Sequence, residues 1–518
     1  MPLPPVSRLR RLALRRIVLG FAATLLAVVF SATLASGERI KAMTVGRSFA
    51  ATSPRMTVEP MPARAANGTL LGTMLLPAIV GQAGTRDDNR PLIVVFNGGP
   101  GAATGWLLLG LLGPYRAVVP EAPLPPGAGP LALVPNREGL WDRADMLFVD
   151  PLGTGFSRAR PGVDPHRIRD WRKDGGYIAL AVREWMERHG RTGAPVFLVG
   201  ESYGAERAVA VANLLTRGIR PVRLAGMVLI SQTVVDDDGL AASDRKLASA
   251  TALPTMAATA CYHGKAMDTP AAPADCAARA QEFAENSYLP ALRQGARLPA
   301  SRRHAVEAAL ARMTGLDEAR LVNAGLEVNR QDYRRLALGP SSLVLGMYDT
   351  RFRAPGPMRK GWQDPSLDPL IPAMQFSAEL QNRILLKLDR SPLDGSRYVM
   401  FNADLHATWR YDGKRTPYGS IDLARSLAGS LKRSGARLLI AGGMFDTVGS
   451  YGNDRYLASR LGLPPARVAV RSYPGGHMFY LSDASRLSFI RELRSFISVA
   501  GHAAPDGTGS RNVIVTGQ

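Results

Sequence analysis

The sequence predicts an α/β fold, in which a mostly parallel central sheet carries helices on both faces and an inserted helical cap. Three observations predict this class. Short, continuous apolar runs bounded by turn residues recur along the chain, as buried parallel strands do. Helical patterns such as Gly175–His189 and Glu206–Arg217 separate several of these runs. One long stretch, residues 236–390, interrupts the alternation with Ala- and Arg-rich helical segments and Pro-rich connectors.

The domain organisation follows from the order of these patterns. The folded part is expected to begin at Met56, after a flexible linker at 38–55, and Leu70–Val80 has the alternation of an edge hairpin. The predicted core strands are 91–96, 144–149, 195–199, 224–230, 436–441 and 467–472. The predicted segments are a first core part at 56–235, the helical cap at 236–390, a second core part at 391–500 and a disordered tail at 501–518.

The position of the predicted cap has a functional consequence. It interrupts the sheet pattern between the strand run 224–230 and the strand run 436–441. An excursion there lies over the carboxyl ends of the strands, where open α/β sheets bind ligands. We therefore expect the cap to cover the functional site.

Length and charge limit the class of protein. A chain of 518 residues that is 46% hydrophobic can bury one large core with an inserted subdomain, which excludes disorder of the whole chain. The net charge of +21 is high, but the arginines are scattered and no basic stripe interleaved with aromatic residues appears. We therefore expect no nucleic-acid partner, and at most weak attraction to anionic membranes or acidic substrates.

The N-terminal segment, residues 1–37, has the pattern of an export signal. Five arginines precede an apolar run at Ile17–Ala35, which ends among small residues. Because this run is about 19 residues long, an uncleaved membrane anchor with the same orientation is the alternative. The Arg15-Arg16 pair also allows a twin-arginine route. We expect a periplasmic or secreted protein, which is associated with the membrane if the segment is retained.

The two cysteines of the chain, Cys261 and Cys276, are separated by a segment rich in Pro, Ala and Asp. In an exported protein they are expected to form a disulfide, worth about 3 kcal/mol for a loop of about 15 residues. Two free thiols are the alternative. Because no cluster of His or Cys accompanies the pair, we expect no metal site, and no motif indicates a cofactor.

The strongest chemical signal is the run 196–204, V-F-L-V-G-E-S-Y-G, in which an apolar strand leads into a G-x-S-x-G turn and a helix-compatible segment. Glycines on both flanks let the turn tighten without Cβ clashes, so that the Ser202 hydroxyl is exposed at the head of a helix. The end of the helix favours developing negative charge. Ser202 is therefore the candidate nucleophile, and an ordinary strand-to-helix turn is the alternative.

A serine nucleophile needs a base, and His477 is the candidate. It lies in the loop 473–478, Y-P-G-G-H-M, directly after the last apolar strand run. A histidine without a catalytic role is the alternative for this position. The other histidines lack that placement: His166, His189, His263, His304, His406 and His502.

The base in turn needs an orienting carboxylate, for which Asp446 is the candidate because it lies just past the predicted strand 436–441. Buried against the imidazole, it would select the tautomer and stabilise the imidazolium that forms when the serine attacks. Asp404 and Asp454 are the alternatives, although neither ends an apolar strand run.

The loop 97–101, N-G-G-P-G, offers close backbone approach after the predicted strand 91–96. We assign donation to the oxyanion of the reaction to the N–H groups of Gly99 and Tyr203. A phosphate cradle is the competing use of a Gly-rich loop. It is disfavoured because no Lys-Ser/Thr pair follows and the dinucleotide-binding pattern is absent.

Together these motifs resemble the serine carboxypeptidase family, particularly its bacterial branch, within the α/β-hydrolase superfamily. The resemblance runs from about Leu70 to Phe496 and also includes F-V-D-P-L-G-T-G-F-S at 148–157 and G-H-M at 476–478. It implies an α/β-hydrolase fold with a helical insertion. The implied activity is the removal of C-terminal residues from peptides, typically in acidic conditions.

The resemblance also implies how a peptide's terminal carboxylate is bound, through a hydrogen-bonding network around the Gly-rich loop and the Glu before the nucleophile. Asn97, Gly98 and Glu201 hold these positions. A Glu201 kept protonated near a substrate carboxylate would explain a preference for low pH, because two like charges cannot both ionise there.

The chain departs from the pattern of the family's eukaryotic members near the Gly-rich loop. Val95 replaces a Trp, Leu111 replaces a Glu by ungapped counting, and A-A-T at 102–104 replaces C-S-S. An esterase or acyltransferase with the same triad is therefore the alternative function, and the expected partner is a peptide or ester substrate. A secreted binding protein with a vestigial site is a remote alternative. The oligomeric state is left open.

Overall fold

The computed structural model describes residues 56–501, with gaps at 82–88, 123, 125–127, 130, 236, 267–270, 340–342, 357–363, 376, 378–396 and 412–422. The predicted export signal at 1–37, the linker at 38–55 and nearly all of the tail at 501–518 lie outside the described residues. The same holds for the predicted cap boundaries at 236 and 390. Among the described residues, no helix combines the length and apolar character needed to cross a bilayer.

A nine-stranded sheet forms the centre of the molecule, in the order β1-β2-β6-β3-β8-β9-β12-β13, with β7 paired to β2. Its strands are β1 (Met56–Arg64), β2 (Leu70–Ile79), β3 (Leu92–Phe96), β6 (Asp145–Phe148), β7 (Arg158–Ala159), β8 (Val196–Glu201), β9 (Leu224–Ile230), β12 (Arg437–Gly443) and β13 (Val468–Tyr473). The pairs from β6 to β13 are parallel, whereas β1, β2 and β7 pair in antiparallel fashion. This confirms the predicted class of a mostly parallel sheet.

Two short antiparallel ribbons lie outside this sheet: β4 (Tyr115–Ala117) with β5 (Leu133–Pro135), and β10 (Leu343–Leu345) with β11 (Arg353–Pro355).

The core helices are α1 (Gly105–Leu107, continued by a π-helical turn at Leu108–Leu112), α2 (Trp171–Arg188), α3 (Tyr203–Leu215), α12 (Leu423–Ser434), α13 (Tyr451–Arg460) and α14 (Asp483–Gly501). The helices between β9 and α12 are α4 (Asp237–Ser243), α5 (Arg245–Tyr262), α6 (Pro273–Phe283), α7 (Leu289–Gln294), α8 (Ala300–Thr314), α9 (Glu318–Asn323), α10 (Arg330–Leu336) and α11 (Ala403–Ala407). A helical segment at 370–375 and a 3₁₀ turn at Phe479–Leu481 complete the part that concerns the site.

The central strands of the sheet, such as β3, β6 and β8, are buried on both faces, as in a parallel sheet covered by helices. Along β3, Val94 faces a core cluster shared with α2, α3, α12 and α13. Its neighbour Val95 faces a second cluster, shared with α1 and α14. The continuous apolar runs of the sequence therefore correspond to strands with both side-chain rows in the core.

Helix α2 begins earlier than its pattern predicts, at Trp171 rather than Gly175, because the side chain of Asp170 caps it by accepting a hydrogen bond from the Arg172 amide. Helix α3 begins at Tyr203, directly after Ser202, three residues before the predicted start at Glu206. The strand–turn–helix transition at the candidate nucleophile is therefore as tight as the motif allows.

Helices α5 to α10 enclose a small apolar core of their own, which includes the fully buried rings of Tyr288 and Tyr333. The chain then returns toward the sheet, and isolated β-bridges join Phe401 to Ala102 and Val399 to Gly155. The residues that follow the predicted cap therefore contact the loop that follows β3, at the carboxyl edge of the sheet.

Candidate active site

The loops after β3, β8, β12 and β13 carry the candidate site residues. Because these four strands run parallel, their carboxyl ends lie at one edge of the sheet. The sheet topology thus brings together side chains that lie far apart in the sequence.

The turn between β8 and α3 holds Ser202 at φ 57° and ψ −130°, a backbone conformation that residues other than glycine rarely adopt. The turn needs its flanking glycines, because a Cβ on Gly200 would lie 2.2 Å from the carbonyl oxygen of Gly204. The Ser202 amide donates to the carbonyl of Ile230 on the neighbouring strand at 2.9 Å, which anchors the turn to the sheet. Ser202 is partly exposed and lines a cavity of about 450 Å³.

A buried ion pair lies next to this turn, between α2 and α3. Arg207 on α3 lies 2.6 Å from Asp174 on α2, and both side chains are almost completely buried. The Arg207 guanidinium also donates to the carbonyl of Asn97 and lies 4.9 Å from the centre of the Tyr203 ring. It therefore links α2, α3 and the Gly-rich loop. The sequence analysis missed this pair, since neither residue belongs to a catalytic motif.

His477 and Asp446 come from the loops after two adjacent parallel strands, β13 and β12. The distance between His477 Nδ1 and Asp446 Oδ2 is 2.7 Å, and both side chains are buried. The other oxygen of Asp446 accepts a hydrogen bond of 2.7 Å from the Val448 amide, which fixes the carboxylate. Burial lowers the pKa of His477, but charge attraction and hydrogen bonding to Asp446 outweigh it, and the pKa is raised above its ordinary value.

The alternative acids lie elsewhere. Asp454 accepts a hydrogen bond of 3.0 Å from Gln232, and burial raises its pKa well above its ordinary range. Asp404 is exposed on α11. The acid that the structure brings to His477 is Asp446.

Ser202 and His477 line the same cavity, but no hydrogen bond joins their side chains. Within the described part of the chain, the buried Nε2 of His477 has no hydrogen-bond partner. Catalytic hydrogen bonds are often long in unliganded sites and shorten when substrate binds. The nitrogen that would act as the base is therefore present in the cavity without a competing partner.

The Gly-rich loop lies directly against the turn of the candidate nucleophile. A Cβ on Gly98 would lie 2.6 Å from the backbone nitrogen of Tyr203, so only glycine permits this approach. Asn97, Gly98 and Gly99 line the cavity together with Ser202. The two candidate oxyanion donors, the amides of Gly99 and Tyr203, thus belong to adjoining backbone segments.

Glu201 and Asn97 form a polar group in this cavity. The Asn97 side-chain amide donates to Glu201 Oε2, and the Tyr480 hydroxyl donates to the same oxygen at 2.9 Å. The Asn97 side-chain oxygen accepts from the Leu107 amide at 3.1 Å, which orients the amide group. Burial is the largest effect on Glu201 and raises its pKa to about 7, although His477 and the two donors oppose it. Tyr480 was not singled out in the sequence.

The inserted segment 347–350 contacts both loops that carry the acid and the base. The Tyr348 carbonyl accepts from the His477 amide at 2.6 Å, and the Thr350 amide donates to the Phe445 carbonyl at 3.0 Å. The Met347 carbonyl accepts from the Thr447 amide at 3.2 Å. The Tyr348 ring meets the imidazole of His477 edge to face. No motif marks this segment in the sequence.

Apolar side chains form the remaining walls. Trp106, Leu367, Ile371, Phe401 and Met478 complete the cavity around Ser202. A second cavity of about 630 Å³ lies on the other side of Tyr348, His477 and Met478. The inserted segment contributes residues to both cavities: Tyr348 lines both, and Leu367 lines the one around Ser202.

The remaining candidate residues lie apart from the cavity. Cys261, at the end of α5, is bonded to Cys276 on α6 in a disulfide. His406 Nδ1 lies 3.2 Å from the carbonyl of Pro100, where α11 packs on the Gly-rich loop. In the ranges that the structure covers, no group of three or more His, Cys, Asp or Glu side chains is placed to hold a metal ion.

Comparison with known proteins shows what part of this chain is similar to. Residues 80–261 match the family described as serine carboxypeptidase. The serine carboxypeptidase-like protein 40 of Arabidopsis thaliana is 28% identical over 162 residues, which are 30% of each chain. A pheromone-processing carboxypeptidase of Paracoccidioides lutzii is 28% identical over 131 residues, or 25% of this chain and 18% of that protein. The aligned part therefore spans less than a third of the length of these relatives.

The fold extends further than the sequence match. A prohormone-processing carboxypeptidase from Saccharomyces cerevisiae superimposes with a TM-score of 0.53 over 87% of this chain and 92% of its own, at 15% identity. The matched residues 80–261 include the Gly-rich loop, β8, the turn at Ser202 and α3. Residues 80–261 of the chain are therefore similar to the serine carboxypeptidase family, and the chain as a whole shares the fold of the yeast carboxypeptidase.

Proposed function

We propose that the protein is an exported serine-type carboxypeptidase that removes C-terminal residues from peptides through an acyl-enzyme. The observation that carries the proposal is the pairing of Asn97 with a buried Glu201 in the cavity that Ser202 and His477 also line. A carboxyl group with a pKa near 7 is mostly uncharged in acidic conditions and can donate a hydrogen bond to a substrate carboxylate. A site that acts only on simple esters has no need of such a group.

In the acylation step, the Ser202 hydroxyl oxygen attacks the carbonyl carbon of the last peptide bond, and its proton passes to Nε2 of His477. Asp446 holds the opposite ring nitrogen and stabilises the imidazolium. The buried 2.7 Å contact between these two side chains supports this role.

The tetrahedral intermediate carries a negative oxygen, which the amides of Gly99 and Tyr203 would bind. Tyr203 is the first residue of α3, where the helix N-terminus favours negative charge. The close approach of Gly98 to the Tyr203 amide supports an assignment that joins the two backbone segments.

When the intermediate collapses, the C–N bond breaks and His477 gives its proton to the leaving amine, which departs as the free C-terminal residue. The acyl group remains on Ser202. Water then attacks this ester with His477 as the base, and the shortened peptide is released.

The substrate's terminal carboxylate would lie against Asn97, Gly98 and Glu201. Below about pH 7 Glu201 is mostly protonated and donates to this carboxylate. As the pH rises through 7, Glu201 ionises, and the two negative charges repel each other. KM for peptides with a free carboxylate is therefore expected to rise with pH.

Export to the periplasm or the outside of the cell belongs to the same proposal. It rests on the charged and apolar pattern of residues 1–37, whether this segment is cleaved or retained as an anchor. The disulfide between Cys261 and Cys276 supports it, because disulfides persist in oxidising compartments.

The test is a panel of N-blocked dipeptides that differ only at the C-terminus, which is a free acid, an amide or a methyl ester. The wild type and Ser202→Ala are assayed from acidic to neutral pH, with Ser459→Ala as a control because Ser459 is an exposed serine on α13. We expect cleavage of the free acid and not of the amide, together with fluorophosphonate labelling that only Ser202→Ala abolishes.

Other outcomes select the alternatives. Cleavage of esters without cleavage of the free-acid peptides would identify an esterase or acyltransferase, which the residues Val95 and Leu111 keep under consideration. Absence of both labelling and turnover would contradict any catalytic function and favour a binding protein.

A further inference from the structure

Tyr480 is a buried tyrosine whose hydroxyl reaches the cavity from a part of the chain far from the Gly-rich loop. It lies on the 3₁₀ turn Phe479–Leu481, three residues after His477, and is fully buried. Its hydroxyl donates to Glu201 Oε2 at 2.9 Å across 279 residues of sequence.

The two hydrogen bonds that Glu201 accepts from Asn97 and Tyr480 are made by the same carboxyl oxygen. Both Asn97 and Tyr480 donate to Oε2, and neither hydrogen bond reaches Oε1. An oxygen that accepts two hydrogen bonds is a poor site for the proton of the neutral acid. The proton therefore belongs on Oε1, the oxygen to which neither Asn97 nor Tyr480 donates.

The surroundings keep Tyr480 in the donor role. Burial and the nearby Glu201 raise the pKa of Tyr480 well above its ordinary value, so the hydroxyl stays protonated. The other titratable groups around Glu201 are His477, Asp446 and Tyr348. None of these three donates a hydrogen bond to the Glu201 carboxyl in the described structure.

Space for the Tyr480 ring comes from a glycine in the helical segment after the Gly-rich loop. A Cβ on Gly110 would lie 2.5 Å from Cε2 of Tyr480, so the ring packs directly on the backbone there. The ring is therefore held between this segment and Glu201, and its hydroxyl has little freedom to move away.

From this geometry we propose that Tyr480 is a positioning residue, which holds Glu201 so that Oε1 presents its proton to the terminal carboxylate of a peptide substrate. The inference rests on the proposed carboxypeptidase function and deepens it. Tyr480 does not touch the reacting atoms. Its removal should therefore change the binding of the carboxylate and leave the chemistry at Ser202 largely intact.

The experiment compares Tyr480→Phe with the wild type on an N-blocked dipeptide acid and on the methyl ester of the same dipeptide. For the acid, we expect KM to rise about tenfold at acidic pH while kcat changes little, since a hydrogen bond to a charged or partly charged group is lost. For the ester, we expect KM and kcat to stay close to those of the wild type.

The pH profile gives a second readout. Because the Tyr480 hydrogen bond lowers the pKa of Glu201, its loss should raise that pKa. The rise of KM for the acid should then begin at a pH about one unit higher in Tyr480→Phe than in the wild type. Tyr473→Phe is the matched control, since Tyr473 stacks on Phe479 in the same region without contacting Glu201.

Two outcomes would overturn the inference. In the first, the kinetics and the pH profile of Tyr480→Phe equal those of the wild type. In the second, Tyr480→Phe loses kcat equally on the acid and on the ester. Gly110→Ala provides an independent variant if Tyr480→Phe does not fold, because the added methyl group displaces the ring, and it should raise KM for the acid alone. If the wild type itself does not cleave the acid, the proposed function fails, which is a separate result from a failure of the Tyr480 inference.

Discussion

The ring of Tyr348 and the imidazole of His477 meet edge to face, with 4.8 Å between their centres and 88° between their planes. The carbonyl of Tyr348 also accepts the His477 amide hydrogen bond. A residue of the inserted segment therefore holds both the backbone and the ring of the candidate base.

We accordingly expect Tyr348→Ala to lower kcat by about 100-fold, because a small displacement of a reacting group is enough for such a loss. Tyr348→Phe keeps the ring contact and should retain most of the activity. Steady-state kinetics of both variants on the same peptide, with thermal denaturation to confirm folding, make the comparison. Equal activity of the two variants would argue against a role of the ring.

Asp446→Asn should leave the fold intact and lower kcat about 10,000-fold, because the amide no longer selects the productive tautomer of His477. Asp454→Asn is its matched control. Burial raises the pKa of Asp454 well above its ordinary value, and its hydrogen-bond partner is Gln232 rather than His477, so this exchange should have little effect on kcat. A larger loss in Asp454→Asn than in Asp446→Asn would reverse the assignment of the acid.

Glu201→Gln should remove the rise of KM above pH 7 for peptides with a free carboxylate, since a glutamine donates a hydrogen bond at every pH and never ionises. The alkaline limb of the kcat/KM profile can be read from one set of pH–rate measurements on both proteins. If the change with alkaline pH is the same in Glu201→Gln as in the wild type, it is due to the ionisation of another group.

The same substitution has a predicted effect on stability. The pKa of Glu201 is raised on folding, so the folded state binds more protons than the unfolded state at pH values between the ordinary pKa and about 7. Stability due to this group therefore falls as the pH rises through that interval. Urea denaturation should show Glu201→Gln to be stabilised relative to the wild type more at neutral pH than at acidic pH.

The buried pair Arg207–Asp174 is expected to be essential to the fold around the turn at Ser202. Arg207→Met leaves the Asp174 carboxylate buried without its partner, which should cost about 3 to 5 kcal/mol of unfolding free energy. Arg188→Met removes the partner of Glu184 in an exposed pair of the same protein and should cost less than about 1 kcal/mol. Urea denaturation followed by circular dichroism compares the two, and similar losses would contradict the prediction.

Local patterns in the sequence were informative wherever neighbouring residues decide the structure. The apolar runs of β3, β8, β9 and β12 were predicted because both faces of a parallel strand inside the sheet are buried, which leaves a continuous signal. The start of α2 was predicted four residues late because the capping residue Asp170 was not recognised as the helix boundary.

Some residues of the candidate site could likewise be predicted from local patterns, and others could not. Ser202, Asp446 and His477 could be proposed because each follows a strand run in a loop with its own motif. Tyr348, Arg207 and Tyr480 could not, since their roles depend on contacts with residues distant in the sequence. The 2.9 Å hydrogen bond from Tyr480 to Glu201, for example, joins the end of the second core part to the first.

By itself, the sequence determined the α/β class, the order of the core strands along the chain and the turn at Ser202, because hydrophobic periodicity and glycine spacing act over a few residues. The tertiary structure alone decided which acid meets His477, which tyrosines surround Glu201 and His477, and how the insertion contacts both loops. These relations depend on the packing of elements that lie between 31 and 279 residues apart in the sequence, and no local pattern encodes them.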